Sequence, residues 1–342
     1  LGLFSTYNNL ALLYSDINRF DEAEQMFKEA LEICKRLATA NPQAYKPYLA
    51  KSYIYLANLY RVTQRFKETE QMNKSALEIY KRLANTNTQA YEPDLARSYN
   101  DLANLYYSTQ RFNEAEQMHK SALEIYKRLA KISPQTYEPD LAMSYNNFAS
   151  LYSNTQRFNE AEQMHKVALE IRKRLADANP QAYEPDLAMS YNNLANLYRD
   201  TQRFNEAEQM HKAALEIRKR LADANPQAYE PNLAMSYNNL AILYSDTQHF
   251  NEAEQMYKDA LEIRKRLAEA NPQAYELCLA QSYNNLANLY YSTQRFNEAE
   301  HMYKTAIDIH KRLAEANPQA YELCLAQSYN NLANLYYSTQ RF

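Results

Sequence analysis

The side chains that could do chemistry recur in this sequence at a fixed interval and do not cluster. His119, His165 and His211 lie 46 residues apart (165 − 119), and the carboxylates Glu206 and Glu208 have lysines nearby. A metal or acid–base site needs side chains that converge, and the sequence has no HExxH motif. With one glycine in 342 residues, a glycine-rich phosphate loop is also excluded. We therefore expect no enzymatic activity, no cofactor and no metal site, and we interpret the three histidines as packed aromatic residues.

Two adjacent asparagines recur in most copies of the stretch "SYNNLANLY". The pairs are Asn8–Asn9, Asn146–Asn147, Asn192–Asn193, Asn238–Asn239, Asn284–Asn285 and Asn330–Asn331, with Asn100 alone beside Asp101. A further asparagine one turn later is found at Asn58, Asn104, Asn196, Asn288 and Asn334. Within a helix each asparagine costs roughly half a kcal/mol relative to alanine. Because an amide offers both a donor and an acceptor, as the peptide backbone does, this recurrence indicates a role.

One constant period organises the elements that carry these residues. The phenylalanine of "QRF" falls at Phe20, Phe66, Phe112, Phe158, Phe204, Phe250, Phe296 and Phe342, always 46 residues apart (66 − 20). Residues 1–342 therefore hold seven periods and the first helix of an eighth, which we interpret as a single solenoid. The sequence begins at Leu1 and stops within the motif, so we expect a fragment of a longer chain.

Each period contains two helical patterns. The first is predicted from about Asp186 to Thr201, opened by Pro185, and the second from about Asn205 to Ala224. Pro226 is predicted to end the second helix, and "TQRFN" to break the first one without glycine. The tyrosines before each new unit are expected in loops: Tyr45, Tyr91, Tyr137, Tyr183, Tyr229, Tyr275 and Tyr321. Since one helix pair cannot bury its own apolar face, stacked pairs predict an all-α solenoid.

Composition limits the classes of partner. The formal net charge of −3 leaves no excess of Lys and Arg to neutralise phosphates, so we expect no nucleic-acid partner. No apolar run reaches the roughly 18 residues that a membrane helix needs, so we expect no membrane span. The sequence does not identify the compartment, for which a cytoplasmic location is our expectation. The three cysteines do not form a disulfide framework, because Cys278 and Cys324 occupy equivalent places in successive copies.

Seven typed positions resemble the signature of the tetratricopeptide repeat (TPR). In one unit they are Tyr191, Leu194, Ala195, Tyr198, Ala207, His211 and Ala214. The sequence departs from the family in its 46-residue period and in Gln202 at the usual turn glycine, and it looks closest to the long repeats of the kinesin light chain type. The resemblance implies a right-handed superhelix of antiparallel helix pairs that holds other proteins, with its first helices lining a concave groove.

Helix geometry of about 100° per residue places the asparagines opposite the packed stripe, on the side that this resemblance turns towards the groove. TPR superhelices similar to this one use groove asparagines to hold a peptide main chain, so we expect an asparagine ladder for an extended peptide. Two alternatives stay open. The asparagines could bond neighbouring repeats and set the superhelix pitch, or duplication could have copied an idle residue.

Groove positions that vary between copies indicate the cargo. Repeat two has Ile54 and Tyr55 in place of the asparagine pair, and Lys51, Arg61 and Arg97 form a basic cluster nearby. The middle of the groove is predicted to carry polarizable methionines, suited to apolar ligand side chains; they are Met143, Met189 and Met235. We expect an extended ligand with an acidic end over repeats two and three and apolar residues beyond.

Three functions remain possible at this stage. The leading hypothesis is a protein-interaction scaffold that binds a peptide or protein through Lys51, Arg97, the three methionines and the asparagines from Asn100 to Asn288. The second is a module that self-associates through its ends or convex face, and the third is the recruiting arm of a larger enzyme or sensor. We expect a monomer, with end-to-end association favoured where terminal repeats lack polar caps.

Overall fold

Helices joined by short turns make up the chain. A computed structural model describes residues 2–340, and within them the helices are α1 (Gly2–Asp16), α2 (Phe20–Ala40), α3 (Pro42–Val62), α4 (Phe66–Thr86), α5 (Thr88–Ser108), α6 (Phe112–Ile132), α7 (Pro134–Asn154), α8 (Phe158–Ala178), α9 (Pro180–Asp200), α10 (Phe204–Ala224), α11 (Pro226–Asp246), α12 (Phe250–Ala270), α13 (Pro272–Ser292), α14 (Phe296–Ala316) and α15 (Pro318–Thr339). No strand is found in this range. The all-α solenoid of stacked antiparallel helix pairs is confirmed.

The contacts divide the chain into two compact units, Leu1–Ile171 and Arg172–Phe342. In the first unit each helix from α1 to α7 packs on the next, and in the second the same holds from α9 to α15. The predicted single solenoid over residues 1–342 stays a prediction, and its last phase marker, Phe342, lies outside the described residues.

The first helix of each repeat begins earlier than predicted. Helix α9 starts at Pro180, where Asn179 caps it by accepting a hydrogen bond from the backbone N–H three residues on, at 3.2 Å. Proline suits the first helical position because no N–H partner is needed there. Pro185 therefore lies inside the helix, and Pro226 opens α11 and does not end α10. The prediction was wrong because Pro185 removes only one backbone hydrogen bond once the capped first turn has formed.

The tyrosines predicted in loops lie instead within the first turns of these helices. Tyr183 in α9 and Tyr229 in α11 are half-buried, and the equivalent tyrosines of the other described copies are too. The second helix α10 begins at Phe204 and ends at Ala224, within one residue of the prediction.

A glutamine with left-handed backbone ends most first helices. Gln202 has φ 59°, and Asn18, Gln64, Gln110, Gln156, Gln248, Gln294 and Gln340 have similar values. The backbone N–H of Arg203 reaches the carbonyl of Tyr198 at 2.7 Å and closes the helix end. The turn therefore forms without glycine, as predicted, although this conformation costs a non-glycine residue about 1–2 kcal/mol.

The predicted apolar stripe forms the core. Leu194, Ala195 and Tyr198 of α9 are 0–5% exposed, and Ala207 and Ala214 of α10 are 0–1% exposed. Burying a leucine side chain contributes about 1.5–3 kcal/mol, so the stripe drives the stacking of helix pairs.

A polar clamp joins adjacent repeats beside the turns that connect first and second helices. The Tyr60 hydroxyl donates to Glu24 at 2.9 Å, Arg65 donates to the other oxygen of Glu24 at 2.6 Å, and the guanidinium lies 4.2 Å from the Tyr60 ring centre. The same clamp recurs at Glu70–Tyr106–Arg111, Glu116–Tyr152–Arg157 and Glu254–Tyr290–Arg295. It fixes the register of one repeat on the next.

Candidate functional site

The first asparagine of each pair is more buried than the helical-face argument predicts. Asn100, Asn146 and Asn192 are only 4–7% exposed, whereas Asn238 and Asn284 are half-buried. The prediction placed them on a free face because it considered one helix alone. In the structure the adjacent helices reach this edge of the first helix and cover it.

Histidines hold two of these asparagines. His165 Nδ1 lies 2.9 Å from Asn146 Oδ1, and His119 Nδ1 lies 3.4 Å from Asn100 Oδ1. His119 also stacks on Phe148, with ring centres 5.6 Å apart, and burial lowers the pKa of His119 to about 4. The predicted role of His119, His165 and His211 as packed aromatics is confirmed, since each is 1–3% exposed.

In α9–α13 the asparagines bond each other between repeats. Asn239 Nδ2 donates to Asn192 Oδ1 at 2.8 Å, and Asn285 Nδ2 donates to Asn238 Oδ1 at 2.7 Å. We call these two contacts the amide rungs. Because Asn192 Oδ1 serves a rung, neither ring nitrogen of His211 has a partner within residues 2–340, and burial lowers its pKa to about 4. For these four asparagines the geometry favours the structural alternative.

Other predicted site residues are accessible. Met143, Met189 and Met235 are 38–41% exposed, and Asn104 and Asn288 are also exposed. Asn147, Asn193 and Asn196 are half-buried. Asn284 Nδ2 donates to Ser328 Oγ of the next repeat at 3.0 Å. The accessible part of the predicted site thus consists of the methionines, Asn104 and Asn288.

The predicted basic cluster contains an acid whose environment is unusual. Lys51 and Arg97 are exposed, and Arg97 lies 3.5 Å from Asp94. Asp101 is half-buried and forms no hydrogen bond or ion pair with the described residues. Burial raises the pKa of Asp101 to about 6, although the positive charges of Arg97 and Arg61 oppose the shift.

Two cavities open beside these residues. The α3–α5 cavity has a volume of about 310 Å³, and its polar lining residues are Asn58, Arg61, Thr69, Asn73, Asp101 and Asn104. The α9–α11 cavity has a volume of about 220 Å³, and residues that line it include Asp186, Met189, Arg218, Tyr229, Asn232 and Met235. The structure therefore brings Met189 and Met235 together, and it brings Asn104 beside Asp101.

Sequence reasoning missed a set of buried arginines in the second helices. Arg218 is 5% exposed and donates to the Asn232 carbonyl at 3.0 Å and to Ser236 Oγ at 2.9 Å. Arg172 and Arg264 make the same two contacts with their own neighbours. Burial lowers the pKa of Arg218 to about 10. The sequence could have predicted that Arg218 is buried, because position 218 lies between Ala214 and Ala222 on the apolar stripe.

Within the part of the chain that the structure describes, no three His, Cys, Asp or Glu side chains converge on a possible metal site. Among the same residues, none of the helices is sufficiently long and apolar to span a membrane.

Models of the tetratricopeptide repeat match most of the sequence, over residues 48–128 and 186–266 for one and 3–39, 141–181 and 279–319 for the other. No curated protein matches the chain. BtubC (BKLC) from P. vanneervenii is 27% identical and has a TM-score of 0.60, with 74% of this chain and 92% of that chain covered.

Two further structures share the fold at lower identity. A STAND signal-transduction ATPase with a tetratricopeptide repeat sensor from Pyrococcus horikoshii is 16% identical with a TM-score of 0.62, and 93% of this chain covers 44% of that one. A kinesin light chain-like protein of nearly identical TPR-like repeats from Podosopora anserina is 18% identical with a TM-score of 0.51, and 64% of this chain covers 96% of that one.

Proposed function

Because the chain belongs to the tetratricopeptide repeat family, we propose that it is an interaction scaffold that binds an extended segment of a partner protein along the exposed face of its first helices. The family supports a role in protein–protein interaction. The peptide and its contacts on this chain are our proposal.

The exposed methionines carry this proposal. Met189 and Met235 each leave more than a third of their surface exposed, although the neighbouring stripe residues are nearly inaccessible. They line one cavity together with polar groups, including Asn232 and Arg218. A surface of polarizable side chains with adjacent hydrogen-bonding groups suits apolar ligand side chains on a peptide backbone.

The asparagines divide into two proposed roles. The exposed Asn104 and Asn288 and the half-buried Asn196 would contact the peptide main chain, because they lie one turn after the pair position. The rung members, such as Asn192 and Asn239, would position the first helices and not touch the ligand. We also propose that the acidic end of the ligand contacts the exposed Lys51, which is not among the residues that line the α3–α5 cavity.

Peptides selected from a random display library against the full chain test this function. Their Kd is then measured by fluorescence polarisation on the double variant Met189→Gln, Met235→Gln. We expect binding to weaken by about tenfold or more, because anchors that fill pockets carry most of the binding energy. The matched control is Gln209→Ala, Gln255→Ala, which changes two exposed side chains of the second helices at the same spacing.

Equal affinity for both double variants would remove the first-helix face as the binding site. Circular dichroism establishes that each variant folds. Light scattering over a range of concentrations tests the alternative of self-association, for which mass would rise with concentration while no peptide binds.

A further inference from the structure

The α3–α5 cavity exists because one large side chain of the repeat is missing. Asn73 of α4 occupies the position that holds Phe27, His119, His165, His211, Tyr257 and Tyr303 in the other copies. In α14 the Tyr303 hydroxyl donates to Asn288 Oδ1. The residues equivalent to Tyr303 and Asn288 in α4 and α3 are Asn73 and Asn58, which both line the cavity. The cavity thus replaces a phenol ring that another copy of the same scaffold accommodates.

Three polar side chains around this space form no hydrogen bond with the described residues, although Thr69 donates to the Arg65 carbonyl at 3.0 Å. Asn73 is 7% exposed and forms no hydrogen bond with any described residue, and the same holds for the amide of Asn104. Asp101 lacks a partner because the residue that would complete an amide rung with it is Ile54. Buried polar groups are normally hydrogen-bonded, so an unpaired, nine-tenths buried amide facing a cavity indicates a ligand.

The charges of the lining select the kind of ligand. Arg61 of α3 and Asp101 of α5 line the same cavity with opposite charges, while Arg97 and Tyr126 are the other ionisable groups near Asp101. A ligand carboxylate would be attracted by Arg61 and repelled by Asp101, and a ligand ammonium the reverse, so for either ion the two charges offset each other. A neutral carboxamide can donate to Asp101 and accept from Arg61, and it also matches the amides of Asn58, Asn73 and Asn104.

We propose that the α3–α5 cavity binds the side-chain carboxamide of an Asn or Gln residue of the partner segment. This inference rests on the proposed function and names the specificity of one end of the same surface. The volume of about 310 Å³ is at the lower limit of ligand pockets, as suits one side chain.

A fragment titration tests the cavity without the partner. The full chain, labelled with ¹⁵N, is titrated with propionamide, propionate and n-propylammonium, and the NMR shifts of the Asn58, Asn73 and Asn104 side-chain amides are followed. We expect propionamide to bind about tenfold more tightly than either charged analogue, because sites built for hydrogen bonding discriminate against groups that leave them unpaired.

The matched control is Asn73→Tyr, which restores the residue of α14 and fills the space. We expect this variant to fold, since Tyr303 is accommodated at the same position, and to lose the propionamide response. A stronger response to propionate, a stronger response to propylammonium, or no response to any of the three would each overturn the proposal.

The failure of this inference is distinct from failure of the proposed function. If Asn73→Tyr keeps full affinity for the selected peptides while Met189→Gln, Met235→Gln loses it, the scaffold stands and the carboxamide pocket does not.

Discussion

The α3–α5 and α9–α13 regions use the same repeat positions in different ways. In α9–α13, Asn192 and Asn239 form an amide rung across 47 residues. The same two positions are Ile54 and Asp101 in α3–α5, where no rung forms and the carboxylate is unpaired within the described chain. In α9–α13 the asparagines at these positions bond each other, whereas in α3–α5 the carboxylate of Asp101 faces a cavity.

The packed stripe is nevertheless the same in both regions. Leu56, Ala57 and Tyr60 are as inaccessible as Leu194, Ala195 and Tyr198, all at 5% exposure or less. The amide rungs are therefore not needed to stack the helix pairs. The exposed edge of the first helices can change its chemistry while the core of the repeat stays constant.

The largest effect that we expect concerns the buried arginines of the second helices. In α4 the equivalent position holds Tyr80. Arg218→Ala should lower the free energy of unfolding of its repeat by about 2–4 kcal/mol, because it opens a cavity, removes the donor to Ser236 Oγ and removes the second donor to the Asn232 carbonyl. Urea unfolding and amide hydrogen exchange in α10 and α11 measure the change. Arg220→Ala, which removes an exposed charge and its ion pairs with Glu184 and Glu216, is the control and should change the free energy by no more than about 1 kcal/mol.

Asp101→Asn should stabilise the protein by about 1–2 kcal/mol at pH 7. The folded-state pKa is about 6, above the ordinary value of about 3.9, so the folded protein holds the proton more tightly than the unfolded chain. The loss of folding free energy caused by the charged Asp101 carboxylate is absent below pH 4, develops between the two pKa values and is complete above pH 6. Thermal melts of both proteins from pH 4 to pH 8 should therefore coincide at the acid end and separate towards neutrality. Asp177→Asn, at an exposed acid, is the matched control.

Two histidines should respond to the same substitution with opposite signs. His211 has no hydrogen-bond partner for its ring among the described residues, so His211→Phe should stabilise by about 1 kcal/mol, as removal of a buried unpaired polar group does. His165 bonds Asn146, so His165→Phe should destabilise by about 1 kcal/mol because it removes this buried hydrogen bond. Phe27 shows that phenylalanine fits this position. Changes of the same sign, measured by urea unfolding at pH 7.5, would contradict this account of the amide rungs.

The smallest effect is the coupling within a rung. In a double-mutant cycle of Asn192→Ala and Asn239→Ala, we expect an interaction energy of about 0.5–1 kcal/mol. The same cycle with Ile54→Ala and Asp101→Ala should give an interaction energy near zero, since these residues form no hydrogen bond. A comparable coupling at both places would mean that the energy arises from packing and not from the amide contact.

The sequence predicted much of the fold because the period is free of insertions. The spacing of Phe20 and Phe66 defined the repeat, and the apolar stripe of α9 and α10 identified the buried residues. Pro185 alone could not define the start of the first helix. A proline near a helix start can occupy either the first helical position or the second turn of the helix. Only the Asn179 cap distinguishes the two.

The site was harder to predict because it depends on contacts between copies. A single helix shows Asn192 on a free side, whereas Asn239 of the next repeat covers it. Asn73 could have been noticed by aligning the copies, since it is the smallest residue at a position of large ones. The alignment alone does not show that the missing ring leaves a polar cavity. That conclusion needs the positions of Asn58 and Asp101, which lie on two other helices.

Residues that bond between adjacent repeats are always separated by the same number of positions, and this affects how the gene can gain or lose repeats. Clamp partners lie 36 and 41 residues apart, and rung partners lie 47 apart. Recombination that adds or removes a whole unit recreates these offsets across the new junction, so the gene can change its copy number in one event. The α3–α5 cavity does not multiply in this way. An added copy of the α3–α4 unit would put Tyr55, and not Asp101, against the new Asn73, so a second cavity requires two adjacent units to be copied together.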